Sequence, residues 1–290
     1  MKPRAFTYAL SDNASGIVYM LVASACLIVN DTSVKLASQD IAVSQIIVLR
    51  SLLALGMLLT VCWWLGLLPG AEVLGNRFLW LRTAGELGAT GTYLSALARL
   101  ELASATAILQ TAPLVVTVAA AVILRERVAL GRWIAIAIGL FAVLLIIRPG
   151  TSGFTLWSLV ALASVGFIVV RDLSSRMMPA PIHPITVALV TVTCCLPLGL
   201  GMSSFEPWLT VTPRAFLLCL VGAVTLSSAF AFLVLAMRAG DVAVVSPFRY
   251  SLLLWAVVIQ IVLFSTWPDL ATIVGSVLLV ATGLYTFWRR

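Results

Sequence analysis

Apolar blocks long enough to cross a bilayer follow one another almost from end to end of this chain. A spanning helix needs roughly 20 mostly apolar residues, because the hydrocarbon core is about 30 Å thick and a helix rises about 1.5 Å per residue. Ten blocks meet that length, near 14–37, 42–66, 77–98, 102–124, 131–148, 154–172, 183–203, 214–236, 242–265 and 268–287. They consume nearly all of the 290 residues and leave no room for a soluble catalytic or nucleotide-binding domain. Composition agrees: 62% of residues are hydrophobic, and 18 Lys and Arg with 11 Asp and Glu could not cover the wet surface of a soluble fold this size. Continuous runs such as Ala119–Leu124 lack the alternation of a membrane β-barrel. The expected fold class is an all-α membrane protein with ten transmembrane helices.

The net charge of +7 could signal a nucleic-acid surface, but its placement points to topology. Lys2, Arg4, Arg77, Arg82, Arg125, Arg127, Arg132, Arg171, Arg176, Arg238, Arg289 and Arg290 fall on one side of the alternating spans. Only Lys35, Arg99, Arg148 and Arg214 fall on the other, while Arg50 and Arg249 lie inside spans. Basic loops stay cytoplasmic, so both termini are expected inside, across a bacterial cytoplasmic membrane. The first apolar block runs on into Asn30-Asp31 without a small-residue cleavage site and reads as an uncleaved helix. Cys26, Cys62, Cys194, Cys195 and Cys219 all fall in apolar spans and read as packing residues.

Offsetting the chain by 136 residues superposes Lys35 on Arg171, Ser38 on Ser174, Ala107 on Ala243 and Gly139 on Gly275. The halves 1–150 and 151–290 would then each hold five helices. Five is odd, so the second unit starts on the opposite face and the two are inverted repeats. Such a pair suits alternating access around a site held between the halves. A duplication that merely built a stable bundle is the plainer alternative.

The motifs that follow this plan are Lys35 and Arg50 around the first hairpin, Pro113 in the fourth span, Arg125-Glu126-Arg127, and Gly139. The second half carries Ser246-Pro247-Phe248-Arg249-Tyr250, Trp267-Pro268-Asp269, Gly275 and the tail Gly283–Arg289. With these the chain resembles the EamA-type members of the drug/metabolite transporter superfamily, and within it the aromatic amino-acid exporters. The resemblance implies a secondary transporter, not an enzyme, exporting a broad range of amino acids, with no cofactor. It departs from a symmetric pattern at Glu126, whose place in the second unit is taken by Ser265-Thr266. Efflux of another metabolite or hydrophobic drug, and a channel, are the alternatives. The expected partners are a small-molecule substrate and lipid, with no nucleic acid, and a monomer is expected.

Ionisable groups inside spans are costly and usually face the bundle interior or a cavity. Asp31 and Lys35, four residues apart, share a helix face and can pair with each other or line the mouth of a pathway. Arg50, two turns into the second span, needs an anion or carbonyl partner, with Asp31, Asp40 or a substrate carboxylate as candidates. Arg82 and Glu86 are again four apart, followed at helical spacing by Gly88 and Gly91, with Gly85 beside them. Asp31 and Glu86 are the candidates for proton coupling, with Lys35, Arg50 and Arg171 beside them as gating groups; a structural ion pair is the bland reading of Glu86. Gln110, Thr111, Ser246, Arg249 and Tyr250 flank Pro113 and Pro247, and proline frees carbonyls of the preceding turn as acceptors. They are the candidate substrate site, together with Asn30, Tyr93 and Trp255. Arg249 could hold a substrate carboxylate bidentately or snorkel to the cytoplasm instead. Trp255 could stack on a substrate side chain or face lipid; the other tryptophans cluster near span ends as an interfacial belt.

Lysine occurs only at Lys2 and Lys35, neither in a glycine-rich phosphate loop, which argues against an ATP-driven pump. The one histidine, His183, leaves no metal site and no His-based catalytic dyad, and reads as a loop residue.

Overall fold

The computed structural model describes residues 12–123, 130–147, 155–178, 182–239 and 245–288. The Arg125-Glu126-Arg127 motif and the boundary between residues 150 and 151 lie outside them. Among the described residues every regular element is helical. In chain order these are α1 (Asp12–Ala37), α2 (Val43–Leu65), a one-turn α3 (Ala71–Leu74), α4 (Arg77–Leu97), α5 (Leu102–Leu109), α6 (Ala112–Ile123) and α7 (Leu130–Ile147). Then come α8 (Leu156–Arg176), α9 (Pro184–Met202), α10 (Pro213–Ala239), a 3-10 segment η1 (Ser246–Tyr250), α11 (Ser251–Phe264) and α12 (Leu270–Trp288).

Helix is the expected answer to such composition, because hydrocarbon offers backbone groups no partner and a helix satisfies them within itself. Six helices are long and apolar enough to span: Ala14–Ala37, Val43–Leu65, Leu102–Ile123, Leu156–Ser175, Pro184–Met202 and Pro213–Phe230. Trp133–Ile147, Phe248–Phe264 and Leu270–Thr282 are shorter apolar helices. α4 has spanning length at 21 residues but carries Arg77, Arg82 and Glu86, which take it out of the strongly apolar set.

Helix ends follow local chemistry. Gly66 adopts φ 66° at the end of α2, and the amide of Leu67 reaches back to the Cys62 carbonyl (2.8 Å), the left-handed stop that glycine permits. Asn76 caps α4 by accepting from the amides of Phe78 (2.8 Å) and Leu79 (3.3 Å). His183 is a helix cap as well as a loop residue: its Nδ1 accepts from the Ile185 amide (3.2 Å) at the start of α9. The fourth predicted span is broken at Gln110-Thr111, where Thr111 Oγ1 donates to the Ile108 carbonyl (2.6 Å) and Pro113 supplies no amide.

α1 packs most extensively along α10, and α4 along α8; α2 lies against α9, and α7 against α12. Small residues permit these approaches, which in lipid rest on close packing rather than on water exclusion. A Cβ at Gly85 would stand 2.7 Å from the Arg171 amide nitrogen and 2.9 Å from the Phe167 carbonyl, so α4 and α8 touch backbone to backbone. A Cβ at Gly275 would meet the Ala142 carbonyl at 2.8 Å, the same close approach between α12 and α7. Gly85→Ala is expected to lower thermal stability in detergent by about 1–3 kcal/mol, the usual cost of overpacking. Gly166→Ala, where nothing stands within 4 Å, is its control and should melt like the parent.

Candidate functional site

Asn30 and Asp31 lie on α1, Arg50 on α2 and Tyr93 on α4, and all four side chains are buried. The Tyr93 hydroxyl donates to Asp31 Oδ2 (2.8 Å) and Asn30 Nδ2 donates to Asp31 Oδ1 (2.9 Å). Arg50 Nη1 donates to Asn30 Oδ1 (3.3 Å), so guanidinium and carboxylate are linked through the Asn30 amide. Gly222 on α10 passes over this group, with its missing Cβ 3.5 Å from Asn30 Oδ1. Two neutral donors thus hold a carboxylate inside an apolar bundle and a cation reaches it through the Asn30 amide, an arrangement that is costly in hydrocarbon.

Asp31 and Lys35 do not pair. Lys35 Nζ instead donates to the carbonyls of Leu97 (3.1 Å) and Leu100, at the end of α4. A cation at a helix C terminus satisfies carbonyls that the helix cannot, and complements its dipole.

A second charged group joins α4, α8 and α9. Glu86 pairs with Arg171 (3.2 Å) rather than with Arg82, and Arg171 Nε also holds Asp172 (2.8 Å). Arg82 Nη1 donates to Thr191 Oγ1 (2.9 Å). Asp172 and Thr191 were not singled out from sequence, although an acid adjoining Arg171 in an apolar span was the available signal.

The two proline-marked breaks meet. Gln110 Nε2, at the α5–α6 break, donates to the backbone carbonyl of Arg249 in η1 (3.2 Å). Thr111 is fully buried with its hydroxyl turned to its own helix. Tyr250 is 3% exposed, and its hydroxyl has no hydrogen-bond partner among the described residues. A buried hydroxyl in that condition costs about 1–3 kcal/mol unless a water or ligand completes it. The Arg249 guanidinium, half-buried, makes no ion pair among the described residues. The Ser246 side chain lies outside the described residues. Trp255 is 42% exposed on α11 and does not join the buried groups. No cluster of metal-ligating side chains is present among the described residues.

Residues 14–148 match the EamA-like transporter family. This EamA-like stretch contains α1 to α7, and so Asp31, Lys35, Arg50, Glu86, Tyr93 and the α5–α6 break. The S-adenosylmethionine uptake transporter of Rickettsia prowazekii is 24% identical over 194 residues, 64% of this chain and 63% of that protein. The riboflavin transporter of Vibrio cholerae is 24% identical over 185 residues, 63% of this chain and 62% of that protein. The match therefore spans less than two thirds of either relative. A solved crystal structure superposes on 93% of this chain and 95% of its own with a TM-score of 0.64 at 18% identity, which establishes a shared fold. The chain is thus similar over residues 14–148 to EamA-like transporters, and six of its helices are long and apolar enough to cross a membrane.

Proposed function

We propose that this chain is a secondary transporter that moves amino acids and their small derivatives by alternating access, with export as its working direction. The observation that carries it is the buried Asn30–Asp31–Arg50–Tyr93 group, charge placed where only a pathway or a partner justifies the cost. Its setting supports two five-helix units, 1–150 and 151–290. In that reading α1, α2, α4, α5 with α6, and α7 correspond to α8, α9, α10, η1 with α11, and α12. Exchanging the units turns the α1–α10 contact into the α8–α4 contact and leaves α2–α9 and α7–α12 unchanged. The Gln110–Arg249 bond then joins the two corresponding breaks near the exchange axis. The bias of basic residues supports a reading with both termini on the cytoplasmic side of a bacterial inner membrane.

A zwitterion needs a cation for its carboxylate and acceptors for its ammonium. Arg249 offers the first, and the Leu109 carbonyl, left without its helical donor by Pro113, offers the second. S-adenosylmethionine, named for one relative, carries an amino-acid head group and fits this chemistry. Riboflavin, named for another, does not, and it motivates a second reading as a carrier for other metabolites.

Purified protein in liposomes should show saturable counterflow of radiolabelled threonine, methionine or phenylalanine, about tenfold above empty vesicles, as expected for a site worth more than one hydrogen bond. Amino-acid flux no faster than in empty vesicles, with riboflavin exchanging, would establish the second reading. A current that never saturates would make the protein a channel.

A further inference from the structure

At the end of the bundle where α1 and α4 finish, a cavity of about 260 Å³ lies between α1, the turn joining α4 to α5, and the last turn of α11. Lys35, Arg99, Glu101, Gln260, Phe264 and Thr266 contribute to its wall. The volume equals roughly nine waters at about 30 Å³ each, room for a molecule of amino-acid size.

The polar groups on that wall differ in what they have left to offer. Gln260 is 1% exposed; its Oε1 accepts from the Ala103 amide (2.7 Å) and its Nε2 donates to Glu101 Oε2 (2.9 Å). It therefore caps α5 from a helix 157 residues away, and its amide is committed. Arg99 lies exposed at the rim, its guanidinium 4.0 Å over the Trp157 ring and bonded once, to the Ser95 carbonyl (3.1 Å). Lys35 is not fully committed: an ammonium has three donors, and the Leu97 and Leu100 carbonyls use two. Glu101 has one oxygen held by Gln260 and the other with accepting capacity. No ion pair joins Lys35 to Glu101 among the described residues. Phe264 lies beside the ammonium, 5.8 Å from nitrogen to ring centroid. The cavity thus presents a part-buried cation with a spare donor in Lys35, a second cation at its exposed rim in Arg99, one anion with a spare acceptor, and an aromatic wall.

We infer that this cavity binds the zwitterionic head group of a small substrate, with Lys35 taking its carboxylate, Glu101 its ammonium and Phe264 its side chain. The inference rests on the transporter reading above and adds a site separate from the Asp31 group and from the helix breaks. In that reading it is the vestibule on the non-cytoplasmic face. Selectivity follows from the opposed poles: an amine or an acid of the same shape leaves one of the two charges without its complement, so the site disfavours both.

Calorimetric titration of the purified full-length chain with phenylalanine, phenethylamine and 3-phenylpropionate tests it. Wild-type protein should prefer phenylalanine over each single-charge analogue by about tenfold or more. Lys35→Met should abolish the preference over phenethylamine and keep that over 3-phenylpropionate. Glu101→Gln, which can still accept from Gln260, should do the reverse. Thr266→Trp, at an exposed rim position that touches neither pole's bonds, should weaken phenylalanine binding about tenfold by filling the space. Wild-type ratios in both charge variants, or unchanged affinity in Thr266→Trp, would overturn the site and leave the carrier intact. A protein that carries amino acids in liposomes yet gives no phenylalanine binding also overturns the site alone. Absence of both flux and binding removes the substrate class itself.

Discussion

Arg171→Met is expected to destabilise the detergent-solubilised protein by about 3–5 kcal/mol, the cost of stranding one partner of a buried ion pair. Glu86 and Arg171 are each only 17% exposed at the side chain and stand 3.2 Å apart. Gly85 brings the two backbones together at this point, so the carboxylate cannot swing out to water when its partner is lost. Arg82 also lies in the field of Glu86, but its bond to Thr191 on α9 keeps it from forming the direct pair that Arg171 makes. The double variant Glu86→Leu with Arg171→Met removes both charges and should recover most of the loss, since a buried pair and apolar groups of similar volume are often close in stability. Asp172, at 33% side-chain exposure, tolerates the change by turning toward solvent. Thermal unfolding of the four proteins closes the cycle. A double variant that loses the sum of the two single losses would mean that Glu86 and Arg171 act independently.

What could be read in advance was whatever a local run of residues determines. Six of the ten expected spans are long apolar helices, legible because apolar length alone marks them, and the break in the fourth span was marked by Pro113 beside Gln110 and Thr111. The pairing of charges was not. Spacing of four puts Asp31 with Lys35, and Arg82 with Glu86, on one helix face, but it carries no information about what the neighbouring helix presents there. Tyr93, Leu97 and Arg171 arrive from other helices with better geometry, and the tertiary partners win. Gln260 was invisible as a cap for the same reason: nothing near Ala103 in sequence announces a donor–acceptor side chain on α11. One usable signal was passed over, a lone glutamine in the apolar run Val257–Phe264, since a polar amide in a span usually bonds across helices. Trp255 was the reverse case, an aromatic whose mid-span position is shared by a stacking partner and by a surface residue.

Arg50→Met is expected to cut amino-acid flux in liposomes by about 100-fold, equivalent to nearly 3 kcal/mol of lost binding or stranded charge. The variant leaves Asp31, 6% exposed, with only the neutral donors Tyr93 and Asn30. Loss of flux alone would not separate a structural collapse from a lost function. Adding Asp31→Asn separates them. An amide at position 31 still accepts from the Tyr93 hydroxyl, so the double variant carries no stranded charge and should melt near the wild-type temperature. It nonetheless lacks the cation and the carboxylate, and a pathway that uses either stays blocked. Recovered stability with flux still about 100-fold down would assign the Asn30–Asp31–Arg50–Tyr93 group to transport. If stability and flux return together, the two charges serve only each other, and the substrate's contacts belong to Arg249, Tyr250 and the broken helices around Gln110.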